Sequence, residues 1–154
     1  MIDSAERGGA CEPAIVWCRM QRRLTIRSLA KYNAEWCRWA AECAVKRGDY
    51  KAAERFAEAS DDPGLARRWC AEVAAIRGDD EAAERFAKAS YDPGLARRWC
   101  AKAAAHRGDD EAAERFASQS DDPGRARHWC AYIAAKLGDD AAAERFRKKI
   151  NGTK

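Results

Sequence analysis

The chain has 154 residues, 47% apolar, 35% charged and 9% aromatic, and its formal net charge is +4. Such a balance fits one soluble, ordered domain and excludes a disordered chain. No run approaches the roughly 18 apolar residues of a membrane span. Acids at Asp3, Glu6 and Glu12 stand where a secretory signal would be basic and then apolar, so a cytoplasmic location is the expectation.

In chain order, residues 1–12, with Gly8-Gly9, read as a flexible N-terminus, and residues 13–33 as a basic capping helix. There Arg19, Arg23, Arg27 and Lys31 recur every four residues, and residues 14–33 contain no acid. Like charges at that spacing cost about 0.2–0.5 kcal/mol per pair unless something neutralises them. Trp17, Met20 and Leu24 form an apolar edge beside them. The helix therefore either caps the rest of the chain or recruits an acidic partner.

Residues 60–89 and 90–119 are nearly one sequence. They differ only at Asp61/Tyr91, Glu72/Lys102, Val73/Ala103, Ile76/His106, Lys88/Ser118 and Ala89/Gln119. A third copy runs from Ser120, and a degenerate one precedes them with Trp39, Gly48, Asp49 and Glu54-Arg55-Phe56. A period of about 30 residues is the signature of a solenoid whose units bury their apolar faces against one another.

Within one unit, Asp62 is placed to cap a helix that has Pro63 at its first position, where a missing N–H costs nothing. Leu65, Ala66, Trp69, Cys70, Val73, Ala74 and Ile76 then fall at helical spacing on one stripe. Gly78 supplies a left-handed C-terminal residue, and Asp79 or Asp80 caps a second helix that buries Ala82, Ala83, Phe86, Ala87 and Ser90. Helices are predicted over 34–47, 50–60, 63–77, 80–90, 93–107, 110–120, 123–137 and 140–150. The fold class is all-α: an α-solenoid of four helix-turn-helix repeats, about 34–60, 61–90, 91–120 and 121–150, with an extra N-terminal helix.

No catalytic set emerges. His106 and His128 are the two histidines, and neither recurs between copies. Cys70, Cys100 and Cys130 do recur, and they read as small buried thiols; no cysteine spacing is that of a zinc knuckle. Neither a cofactor nor a metal is expected. The repeated Glu54, Glu84, Glu114 and Glu144 read as a structural ladder, formed by pairs such as Glu81–Arg85 and by contacts to the neighbouring unit. Trp39, Trp69, Trp99 and Trp129 read as a core ladder.

The unit resembles a tetratricopeptide repeat in the DPGLARRW of residues 62–69 and the GDYKAAERFAEAS of residues 48–60. The period is 30 instead of that family's 34, and short HEAT-like repeats are the competing match. Either resemblance implies a protein-interaction scaffold, and the first implies that first-helix residues line the concave face. The copies differ there at Glu72, Lys102 and Tyr132, and at Ile76, His106 and Lys136. Framework positions are held by stacking, so these variable ones are the contact candidates: Glu72, Lys102, Tyr132, His106 and Lys136. Arg67, Arg97 and Arg127 would add a cationic strip. A non-enzymatic scaffold binding a protein segment is the expectation. The alternative is a nucleic-acid-binding accessory protein that uses the basic helix and the arginines.

Overall fold

The structure, a computed structural model, describes residues 34–151. The expected flexible end and basic helix over 1–33 lie outside these residues. Among the described residues there are eight α-helices and no strand. They are α1 Ala34–Lys46, α2 Tyr50–Glu58, α3 Pro63–Arg77, α4 Asp80–Lys88, α5 Pro93–His106, α6 Asp110–Ser118, α7 Pro123–Lys136 and α8 Asp140–Asn151. The all-α helical-repeat class expected from the sequence is the one observed, with neighbouring helices packed in consecutive pairs.

The punctuation works as the residue types require. Asp92 and Asp122 accept the N–H of Leu95 and Arg125, with proline next in line. Asp79 and Asp109, the first of each aspartate pair, and Asp49, which precedes Tyr50, cap the second helices, each accepting the alanine N–H three residues on. Gly48, Gly78, Gly108 and Gly138 take φ between 76 and 83°, left-handed backbone that a side chain would strain.

The second helices of the first three hairpins stop two residues short of the predicted ends. Ser60, Ser90 and Ser120 each turn the hydroxyl back to donate to the alanine carbonyl three residues earlier, at 2.7–2.8 Å. Their N–H groups reach the same carbonyls at 3.1–3.2 Å. The helical ladder is thus replaced by local serine bonds.

The chain divides between Ala66 and Arg67, inside α3, into two compact units. In the first, α1 packs on α2: Cys37 and Ala40 meet Trp36, Trp39, Phe56 and Ala59. In the second, α5 pairs with α6 and α7 with α8, while α7 also packs on α5 and α6, and α4 on α5.

The core differs from the predicted stripe in one respect. Its fully buried residues are alanines, cysteines, Val45, Phe86 and Phe116, and Ala71 and Ala75 belong to it, whereas Ile76 is 57% exposed. The four repeated tryptophans are half-buried rather than enclosed. Helices that meet through alanine approach too closely to admit an indole between them, so each ring lies at the margin of the packed layer.

Candidate functional site

Residues 102 and 106 lie one turn apart on α5, as 132 and 136 do on α7, because four residues advance an α-helix by about 6 Å. Packing α7 on α5 brings the two pairs together. Lys102, His106, Trp129, Tyr132, Ile133, Lys136 and Leu137 line a groove of about 510 Å³, a size typical of ligand clefts. Four of the five variable first-helix positions singled out in the sequence therefore converge on one site. The fifth, Glu72, is half-buried on α3 and not part of this lining.

The groove is cationic over an aromatic and aliphatic floor. The Lys102 ammonium lies 4.8 Å from the Trp99 ring and 5.8 Å from that of Trp129. The guanidinium groups of Arg98 and Arg125 stand 5.7 and 5.5 Å from the same Trp129 ring. Trp99 and Trp129 are 5.8 Å apart and tilted by 52°, a geometry worth about 0.5–1.5 kcal/mol beyond area burial. Lys136 stands 4.9 Å from the Tyr132 ring, and its hydrogen bond with the Tyr132 side chain holds the ammonium pKa above the usual lysine value.

Of these cations only Arg98 meets a carboxylate, Asp121 at 3.2 Å. Lys102, Arg125 and Lys136 have none within 4 Å among the described residues. Elsewhere on the repeats acids and bases pair with one another. A second groove, of about 560 Å³, is lined by Asp80, Glu81, Glu84, Arg85, Lys88 and Arg115. There Asp80 holds Arg115 at 2.8 Å and Arg107 at 3.1 Å, and Glu84 holds Lys88 at 3.5 Å. Arg145 pairs with Asp110 one repeat later.

The expected arginine strip is deployed differently at two of its positions. Arg97 and Arg127 fold against Glu84 and Glu114, with only 17% and 11% of the side chain exposed. At Glu84 and Glu114 the glutamate ladder thus runs through these inter-hairpin pairs, whereas Glu144 meets Arg147 on its own helix at 3.9 Å. Arg67 is half-buried on α3. Arg19, Arg23, Arg27 and Lys31 lie outside the described residues.

Trp129, Ile133 and Leu137 line the groove without having stood out in the sequence as groove residues. Leu137 had a signal: it stands where the earlier copies carry Arg77 and Arg107. Arg107 donates to the Ala75 carbonyl and pairs with Asp109 at 2.8 Å, closing the end of α3. Leucine at 137 can do neither, and it lies 57% exposed at the groove.

No protein-family model matches the chain, and neither does any curated protein or solved structure. Among the described residues no three His, Cys, Asp or Glu side chains gather as a metal site, and no helix is long and apolar enough to cross a membrane. The arrangement can neutralise and orient an anionic, partly apolar ligand; the five described cysteines are buried.

Proposed function

We propose that the chain is a non-enzymatic interaction scaffold that takes a segment of another protein into the groove between α5 and α7. One observation carries this reading. The framework residues repeat from copy to copy, whereas Lys102, His106, Tyr132 and Lys136, at positions where the copies differ, meet around one groove. Stacking needs account for the repeated residues and do not require these four.

The competing reading is a nucleic-acid-binding accessory protein, favoured by the lysines and arginine that have no carboxylate partner beside aromatic rings. One capture experiment separates the two. The full chain and its Lys102→Glu/Lys136→Glu variant are used as bait, with and without nuclease. The scaffold reading expects a protein that survives nuclease and is lost with the variant. Recovery that depends on nucleic acid, together with binding to random oligonucleotide that falls as log K against log salt with a slope of about −0.7 to −0.9 per phosphate, would favour the alternative.

A further inference from the structure

Resting on the scaffold reading, we infer that the segment bound between α5 and α7 is an extended acidic one, with carboxylates at alternate positions and apolar residues between them. Charge complementarity is the first ground. Three cations, Arg98, Lys102 and Arg125, crowd one indole, all within 5.8 Å of the Trp129 ring. Only Arg98 has a carboxylate, and its enclosed Nε–H has no acceptor. Like charges held this close repel one another, and a carboxylate brought among them relieves the repulsion while leaving the packed rings in place.

Spacing is the second ground. Lys102 and His106, like Tyr132 and Lys136, are offset by one helical turn, about 6 Å. Alternate side chains of an extended chain on one face are about 6.6–6.8 Å apart. Acids at positions i and i+2 thus match successive polar groups along the groove wall. Side chains pointing the other way are apolar, and Leu137, exposed at the groove, supplies the surface that would receive an apolar side chain of the segment.

Single-stranded nucleic acid carries regular negative charge too, but its affinity on such sites comes largely from bases stacking on aromatic faces. Trp129 is half-buried, with Trp99 5.8 Å from it and three cations around it, so the site offers charge more than open stacking surface.

The test is fluorescence anisotropy with the full chain at about 50 and 200 mM salt. The probes are a labelled peptide of roughly twelve residues alternating glutamate with leucine or tyrosine, its glutamine counterpart, and a single-stranded oligonucleotide of similar length. The acidic peptide is expected to bind at least about tenfold tighter than the glutamine peptide and to weaken at the higher salt. Lys102→Glu and Arg125→Glu should each weaken it at least about tenfold, while Lys148→Glu, exposed on α8, should not. Circular dichroism checks that each variant is folded, and Lys102→Gln should give an intermediate loss. Equal binding of the acidic and glutamine peptides overturns the charge inference and leaves the scaffold reading standing. Binding of the oligonucleotide alone, or of no probe, overturns both.

Discussion

Arg97 and Glu84, thirteen residues apart on α5 and α4, form a bidentate ion pair. The arginine Nε donates to both carboxylate oxygens at 3.1–3.2 Å, and Nη2 donates to Oε1 at 2.6 Å. Arg127 and Glu114 repeat it between α7 and α6 at 2.8–3.3 Å. The pair joins one hairpin to the next, and its fork geometry is one that lysine cannot reproduce.

Breaking this pair should therefore loosen the stack. Arg97→Lys is expected to cost about 1 kcal/mol and Glu84→Gln about 1–3 kcal/mol, read by urea denaturation. The pH dependence has a definite sign. Burial pushes the Glu84 carboxyl up, but the hydrogen bond and charge of Arg97, with Lys88, outweigh it and hold the pKa below the usual value. Asp109 is lowered as well, first by the Ala112 N–H and then by Arg107. A folded pKa below the unfolded one adds stability that is complete above the unfolded value, near 4.3 for glutamate. It is lost as pH falls through the folded value. The Glu84→Gln deficit should be constant from pH 7 down to about 5 and shrink below about 4; a deficit unchanged at pH 3 would contradict the pairing.

Identical sequence positions should respond oppositely at Gly94 and Gly124. A Cβ on Gly94 would fall 2.7 Å from Asp121 Cβ and 2.8 Å from its backbone nitrogen, atoms of the next hairpin's entry loop that cannot swing aside. Gly94→Ala is expected to destabilise by roughly 1–3 kcal/mol. On Gly124 the same atom meets only the Asp122 side chain, at 3.5 Å. Gly124→Ala should be neutral or stabilise by about 0.5 kcal/mol through the unfolded state. Denaturant midpoints of the two variants decide it.

Arg38 holds Asp61 at 3.3 Å, and Arg98 holds Asp121 at 3.2 Å, at one register position of the repeat. The intervening copy carries Arg68 and Tyr91, and Tyr91 is 92% exposed. Tyr91→Asp should complete the series and stabilise by about 0.2–1 kcal/mol at low salt, because the site is exposed. The gain should disappear in the Arg68→Ala background.

The repeat cysteines should be chemically quiet. Burial pushes the Cys130 thiol up to about 12 and the Cys37 thiol to about 11, and raises Cys100 too. Thiolate is the reactive form, so at pH 8 the folded protein presents almost none at these sites. In a Cys11→Ser/Cys18→Ser variant, Ellman's reagent should titrate the remaining five described cysteines quickly only in guanidinium. Rapid labelling of the folded variant would show that the hairpins open.

Much of the framework is legible in the residues alone. Asp-Pro starts, glycine stops and a 3/4 apolar spacing are local signals, and each helix forms where they place it. The serine bonds that shorten α2, α4 and α6 are not legible in this way, since a serine at a helix end can extend the ladder or terminate it. The tryptophans depart from expectation for a different reason. Hydrophobicity marks them for the interior, but the packed layer is filled by alanines and cysteines, and the indoles are left half-buried.

The sequence by itself determined the hairpin, its period and the identity of the variable positions, because all three rest on residues near one another in the chain. What only the tertiary structure decided is which of those positions meet. Lys102 and Lys136 are 34 residues apart and share a groove, whereas Arg97 and Arg127 turn inward to Glu84 and Glu114. The rotation of one hairpin on the next sets that choice, and packing between repeats fixes the rotation through contacts no single repeat contains.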